Sequence, residues 1–548
     1  MTTRAPEDRT WPVVTLGLVL VGIALRVVQF CIERALWFDE ARNSVEILKP
    51  DWLRMLPPYA QQPTSSGFLV VERFFVSALG DSEWALRLFP LLAGVGAVLI
   101  GAVLARRVLQ GVAIPIAVAF IALSGPAIYF STEVKAYSSD LFFALALAWA
   151  ILHVDDQDEV SALDVLGLSL LGSIAVWISY TSIFVLAAGG VLLLVSRLGD
   201  RDLRSAFWVC FIGAIWLANF GAYYALVISH WTGADWLAEH WAESFPAADL
   251  GGWGLLAWGS KALGASFRET LGVGLAAVQG APVIGPLATV ADTASTWIDG
   301  LFGDTNWRSA GHDLLQLGPA LCLAFFLAGL ARALVRGQGR ILFFMGIVAL
   351  TLLAGVLHLY PYQGRLLLFL VPALAFGVAH GAEGLLGRGR RVWVLVAVLV
   401  VVFAGPAWNA TRLVSMAQPL HRHGTANIRS FEGLRWVVPY IERHRQPDDI
   451  VYVYYFAEPQ YRYYAHRFGL TAPTIFGVRS PEDPSGYVKD LEQLRGRKHV
   501  WVVFGHALPA EQRLIVQRLD EMGQRLDELQ RPRAAAYLYD LSSGKPSP

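Results

Sequence analysis

The sequence predicts a polytopic α-helical membrane protein with about 11 transmembrane helices and a C-terminal extracytoplasmic α/β domain. Three observations lead there: a deficit of charge, a series of apolar runs with arginines at alternate turns, and a tail of different character. The chain of 548 residues is 55% hydrophobic and 16% charged, with a mean hydropathy of +0.47. A soluble chain carries about 25% charged residues, and the shortfall follows if much of the surface faces lipid. The formal net charge is +0. No basic tract is interleaved with aromatics, so no nucleic-acid partner is expected. Cys31, Cys210 and Cys322 lack metal-ligand spacing, so neither a disulfide framework nor a zinc-thiolate site is expected. Arg4 and Arg9 precede the first apolar run with no small-residue cleavage site after it, which reads as a retained first span.

Apolar runs of about 20 residues are needed to cross a bilayer. The candidates are 11–30, 84–105, 112–130, 138–153, 163–179, 181–197, 205–228, 313–334, 341–359, 366–386 and 392–408, giving a membrane domain over 1–408. Tyr180 and Thr181 leave almost no loop between the fifth and sixth. The segment Gly67–Gly80 holds Glu72 and Arg73 and reads as a helix lying against the others. Arginines set the orientation. With a cytoplasmic N-terminus, alternate turns receive Arg106/Arg107, Arg197/Arg201/Arg204, Arg332/Arg336/Arg340 and Arg388/Arg390/Arg391, while the opposite short loops hold little beyond Lys135 and Arg365. The loops 31–83 and 229–312 and the region 409–548 then lie outside, and a bacterial inner (plasma) membrane is the expected location.

The long loop carries Trp231, Trp236, Trp241, Trp253, Trp258, Trp297 and Trp307, which read either as an interfacial belt or as platforms for sugar rings. Within it Leu271–Val290 is apolar enough to dip into the membrane, but a full crossing there would invert every later loop. The tail alternates Val/Tyr-rich strand candidates (449–456, 498–504, 535–541) with amphipathic helix candidates (431–444, 458–467, 509–529), the pattern of a small α/β domain.

Three constellations carry chemistry. Directly after the first span comes Leu36-Trp37-Phe38-Asp39-Glu40. Adjacent carboxylates near an apolar surface are costly to desolvate unless used or paired, although Asp39 also reads as a helix N-cap. At the outer end of the third span, Ser131-Thr132-Glu133-Val134-Lys135-Ala136-Tyr137 puts a cation where a lipid headgroup phosphate would lie; the alternative is an interfacial anchor or a Glu–Lys pair. Tyr360-Pro361-Tyr362-Gln363-Gly364-Arg365 sets an arginine at the entry of a later span, and Arg26 lies near the outer end of the first. A base, cations and aromatics on one membrane face suit transfer from a lipid-linked sugar phosphate: a carboxylate takes the acceptor's proton and cations hold the departing phosphate. A lipid-linked-saccharide transporter is the alternative. It would place its polar groups near the bilayer midplane, whereas these sit at the ends of spans.

These segments resemble bacterial GT-C-fold glycosyltransferases of the family 39, or protein-mannosyltransferase-like, type. The resemblance runs from Leu25-Arg26 through LWFDEARNSVEIL (Leu36–Leu48), Gly80–Leu109 and Ala122–Ala148, and returns in DDIVYVYYFAEPQYRYYA (Asp448–Ala465). It implies a GT-C-like fold and an inverting transferase that moves one sugar from a polyprenyl-phosphate donor at a lipid membrane to an extracytoplasmic acceptor: glycan, lipid or protein. It further implies Asp39 as the base and Glu40 as its support or as ligand to a divalent cation, no cofactor being otherwise expected. Lys135, with Glu133, Tyr137 and Arg365, would bind the donor phosphate. Where relatives carry His-Pro-Pro in the first external loop, this chain has Gln61-Gln62-Pro63-Thr64.

Overall fold

A computed structural model describes residues 10–32, 34–49, 51–55, 63–231, 235–247, 249–273, 317–386, 399–407, 433–481 and 483–542. Trp297, Trp307, Gln61, Gln62 and most of 271–290 lie outside the described residues. The chain divides into two compact units. One comprises Met1–Cys31, Ser65–Phe68 and Pro90–Asn427; the other comprises Ile32–Thr64, Leu69–Phe89 and Ile428–Pro548.

The first unit is helical. Its elements are α1 (Thr10–Cys31), the start of α3 (Ser66–Leu79), most of α4 (Glu83–Val108), α5 (Ala113–Leu123), α6 (Gly125–Phe130), α7 (Tyr137–Asp155), α8 (Ala162–Ile178), α9 (Ser182–Gly199) and α10 (Leu203–Leu226). Then follow α11 (Asp235–Trp241), α12 (Gly252–Glu269), α13 (Gly318–Val335), α14 (Gly339–Val356) and α15 (Val371–Leu386). The helix α2 (Phe38–Leu48) belongs to the other unit. Among the described residues eight helices are long and apolar enough to cross a membrane, with α5 and α8 as shorter apolar helices. Of the span expected over 392–408, residues 399–407 are helical and the remainder lies outside the described residues. Large apolar side chains stand outward on these helices, Leu203 at 73% and Val335 at 88% exposure, as a lipid-facing surface requires. Where helices meet, small residues let backbones approach: a Cβ on Gly381 would lie 1.8 Å from the Phe325 carbonyl oxygen, and one on Gly329 2.4 Å from that of Gly377. This Gly-x-x-x-Gly crossing joins α13 to α15.

The span expected over 112–130 is broken at Ser124. Pro126 has no N–H to continue a helical ladder, and the Ser124 hydroxyl instead caps the next helix, accepting from the Ala127 N–H at 3.1 Å. The break leaves carbonyls at the end of α5 without helical donors. Arg26 of α1 supplies them, its guanidinium donating to Ile121 at 3.0 Å, Ala122 at 3.1 Å and Gly22 at 2.9 Å. An arginine in an apolar helix is thus accounted for by the serine–glycine–proline break of its neighbour.

In the second unit β1 (Ile450–Val453), β2 (Thr474–Phe476), β3 (Val500–Gly505), β4 (Gln524–Arg531) and β5 (Ala534–Asp540) form one sheet in the order β2-β1-β3-β5-β4. β1 runs parallel to β2 and β3; β5 is antiparallel to β3 and to β4. The helices α16 (Leu434–His444), α17 (Glu458–Phe468), α18 (Ser485–Leu491) and α19 (Pro509–Met522) accompany it. Tyr452, Tyr454, Val502, Phe504, Leu519 and Tyr539 are among its buried core residues. The helix expected over 509–529 ends at Met522. At Gly523 a Cβ would lie 2.1 Å from the Asp540 carbonyl oxygen, so only glycine lets the chain turn there into β4. That strand alternates exposed and half-buried positions along a charged sequence, which suits a solvent-facing edge and hides it from a search for apolar runs.

Candidate active site

In the second unit the acidic pair begins α2. Trp37 is the extended residue before the helix, and Glu40 reaches back to accept its N–H at 3.3 Å. The two carboxylates then part company. Glu40 is 1% exposed and is held in a bidentate ion pair by Arg87, with Nε to Oε1 at 2.9 Å and Nη2 to Oε2 at 2.8 Å. Arg87 also donates to the carbonyl of Arg34 at 2.6 Å, which fixes the turn leading into the helix. Asp39 points to a partly exposed position. Its charge acts on Arg42, one turn along α2: burial lowers the Arg42 pKa, and Asp39, Glu458 and Glu46 oppose that.

The turn before α2 is held by α17. The Leu36 N–H donates to the Tyr464 hydroxyl at 2.8 Å and the Leu36 carbonyl accepts from Gln460 at 3.0 Å. Tyr464 in turn donates to Glu83 at 3.3 Å. Burial first, and then the charge of Glu83, push its phenol well above the ordinary value, so it stays a neutral donor. Arg467 completes the tie, pairing with Asp81 at 3.1 Å and Glu83 at 3.3 Å.

In the first unit Ser131–Ala136 form an irregular turn between α6 and α7 whose members are buried: Glu133 is 1% exposed and Lys135 7%. The Lys135 N–H donates to the Glu133 carbonyl at 2.7 Å, which closes the turn. Tyr137 opens α7, and the Arg365 guanidinium lies over its ring, 5.6 Å from the centroid. Two residues far apart in the chain are thereby brought together, a contact of the cation–π type. Arg365 sits in the 3-10 turn Gly364–Leu370. The peptide before it is pinned by α12: the Gly364 N–H, at a φ of 54° that glycine adopts freely, donates to Glu269 at 2.8 Å, and Ser266 donates to the Tyr362 hydroxyl at 3.0 Å. Asp140, one turn beyond Tyr137, is buried, and the Ser179 and Thr181 hydroxyls between α8 and α9 lie 3.0 Å from each other. Between those residues Tyr180 feels the whole group. Its phenol is pushed well above the ordinary value by burial, then by Asp140 and Tyr137, while Arg365 opposes the shift.

No protein-family model matches the sequence, and no curated protein matches it. Among solved structures it is similar to the Archaeoglobus fulgidus oligosaccharyltransferase in complex with Zn and sulfate, at 14% identity and a TM-score of 0.53, over 93% of this chain and 71% of that one. The same protein tethered to an acceptor peptide gives 12% identity and a TM-score of 0.52, over 94% and 73%. ArnT from Cupriavidus metallidurans in the apo state aligns over 99% of this chain and 100% of its own at 13% identity, with a TM-score of 0.49. This chain shares the fold of the archaeal oligosaccharyltransferase. It is an integral membrane protein of GT-C-like fold, as the sequence resemblance implied.

In this GT-C-like chain, Asp39 and Glu40 lie in one unit and Glu133, Lys135, Tyr137 and Arg365 in the other. Reading the motifs missed Arg87, Asp140 and Tyr180. For Arg87 a signal existed: an arginine set in the apolar run Trp84–Phe89 demands a partner. For Asp140 and Tyr180 the signal was their place at the ends of apolar runs, with nothing to show that α7 and the α8–α9 turn meet. Among the described residues no group of three or more His, Cys, Asp or Glu is arranged to hold a metal ion.

Proposed function

We propose that this chain is an inverting glycosyltransferase that moves a sugar from a polyprenyl-phosphate-linked donor to an extracytoplasmic acceptor. The acceptor hydroxyl oxygen bonds to the anomeric carbon as the bond from that carbon to the phosphate oxygen breaks. The electron pair leaves with the phosphate, the acceptor's proton passes to the Asp39 carboxylate, and the configuration at carbon inverts. The reading is supported by how the acidic pair is placed: Glu40 is buried and held by Arg87, whereas the Asp39 carboxylate beside it in the chain is partly exposed. Glu40 anchors the helix start that presents it. On the donor side, Arg365 and Lys135 supply positive charge for the leaving phosphate, with Tyr137 holding the Arg365 fork and Glu133 closing the Lys135 turn. Its similarity to an oligosaccharyltransferase is of fold, and is consistent with this chemistry.

The test uses the whole protein in nanodiscs, a panel of synthetic polyprenyl-phosphate sugars and cell-envelope fractions as acceptor source, with release of polyprenyl phosphate as readout. Asp39→Asn keeps the side chain's shape but takes no proton at neutral pH, and turnover should fall by about 10²–10⁴ with donor binding retained. Wild-type turnover in that variant would remove Asp39 as the base. We further assign the N-terminus and the turns at Arg106, Arg204, Arg336 and Arg390 to the cytoplasm of a bacterial inner membrane, and the region beyond Asn409 to the outside. A cytoplasmic reporter fused after Pro548 should be inactive; an active one reverses the orientation.

A further inference from the structure

Phe38, the residue before Asp39, packs beyond its own helix as well as under Arg42 of that helix. It meets Phe456 edge-on at 5.6 Å between centroids and stacks on the His506 imidazole at 5.9 Å with 21° between planes; Phe456 also meets His506 at 5.9 Å. All three rings remain partly exposed, and Phe38 directly precedes Asp39 in the chain. Its position follows from the sheet. β1 and β3 are neighbouring parallel strands, His506 directly follows the last residue of β3, and Phe456 comes three residues after the end of β1. The carboxyl ends of such strands are where open α/β sheets bind ligands. His506 is also held at a φ of 53°, a left-handed conformation that costs a non-glycine residue free energy and persists where the surroundings enforce it. They do: its N–H donates to the Arg533 carbonyl at 3.1 Å and its Nδ1 lies 3.2 Å from the Arg533 guanidinium. The rim is charged, with Arg42 over the Phe38 ring at 5.2 Å and Glu458 within reach of Arg42's charge.

We infer that Phe38, Phe456 and His506 form the acceptor subsite and that the acceptor is a carbohydrate, one ring of which stacks on this cluster with a hydroxyl directed to Asp39. This rests on the transferase reading above. Aromatic faces with a few fixed polar groups at the edge match a sugar ring, apolar on its C–H faces and polar at its rim. An extended peptide would instead call for an unpaired strand edge; β1 and β3 are interior strands, flanked on both sides.

The experiment is saturation-transfer NMR on the full chain in nanodiscs with methyl glycosides of glucose, mannose, galactose and arabinose, alongside a short serine- and threonine-containing peptide. At least one glycoside should receive saturation, and the peptide should not. His506→Asn is the informative variant, because asparagine tolerates the left-handed backbone while deleting the ring. Its thermal midpoint should match wild type and its glycoside affinity should fall about three- to tenfold, the size of one lost ring contact. Phe456→Leu should weaken binding similarly. Undiminished binding in a folded His506→Asn, or saturation of the peptide and of no glycoside, overturns the inference. Polyprenyl phosphate release by wild type without any glycoside binding would leave the transferase reading standing and remove this subsite. Glycoside binding with no release from any donor would remove the transferase reading and leave a carbohydrate-binding surface.

Discussion

The start of α2 in one unit and the Ser131–Tyr137 turn with Arg365 in the other both read from the sequence as charge beside an apolar run, yet they are stabilised in opposite ways. At α2 a carboxylate and a guanidinium neutralise each other in a buried bidentate pair, and backbone groups of the adjoining turn are met by Tyr464, Gln460 and Arg87. In the other region the polar residues are fixed by backbone geometry, a closed turn at Lys135 and a glycine-enabled one at Gly364, and the arginine rests on an aromatic face. A carboxylate beside a membrane therefore says little by itself. What distinguishes the two acids is burial: Glu40 is buried against Arg87 from another element, and Asp39 next to it is partly exposed.

Four perturbations sharpen that contrast, beginning with the largest. Arg87→Leu strands Glu40 as a buried charge, and loss of one partner of such a pair costs about 3–5 kcal/mol. The thermal midpoint of the purified protein should drop steeply, whereas Asp39→Asn should leave it nearly unchanged. Restoring much of the loss with a second change, Glu40→Gln, would identify the stranded charge as the cause; equal midpoints for Arg87→Leu and wild type would break the contrast.

Next, if Lys135 contacts the leaving phosphate, Lys135→Met should weaken donor binding and turnover by a charge-assisted contact of about 1.5–3 kcal/mol, while Lys135→Arg is largely tolerated. Initial rates against donor concentration for both variants decide this, and wild-type kinetics in Lys135→Met would reduce the residue to an anchor.

Smaller still is Tyr137→Leu, which removes the face under Arg365. A contact of this kind is worth about 0.5–2 kcal/mol depending on its burial, so donor KM should rise severalfold with the protein still folded. An unchanged KM would mean that Arg365 is placed by its turn alone.

The smallest effect is electrostatic. Hydrogen bonds from Arg495 and Arg518 hold the Glu492 carboxyl down at about 2, below its ordinary 4.5. A depressed carboxylate contributes stability present above 4.5 and lost as pH falls toward 2. Because the three side chains are partly solvent-exposed, the contribution is modest. Unfolding midpoints measured across that range should fall less steeply in Glu492→Gln than in wild type; identical slopes would dismiss the pair.

Much of the architecture was legible before any coordinates, because lipid solvation and strand burial write themselves into composition. Apolar helices have to be long, and buried parallel strands such as Ile450–Val453 and Val500–Gly505 have to be continuous runs of Val, Ile and aromatics. Asp39, Lys135, Tyr137 and Arg365 stood out because charge and aromatics at the ends of apolar runs are rare and local. Tertiary structure alone decided the rest. The edge strand Gln524–Arg531 is half solvent-facing and carries no apolar run; the helix break at Ser124 becomes tolerable only because Arg26 arrives from another helix to satisfy its carbonyls. That Glu40 meets Arg87, and that Phe38 meets rings over four hundred residues away in sequence, depend on contacts between distant segments. No local pattern encodes such contacts, since each partner is an ordinary residue until folding makes them neighbours.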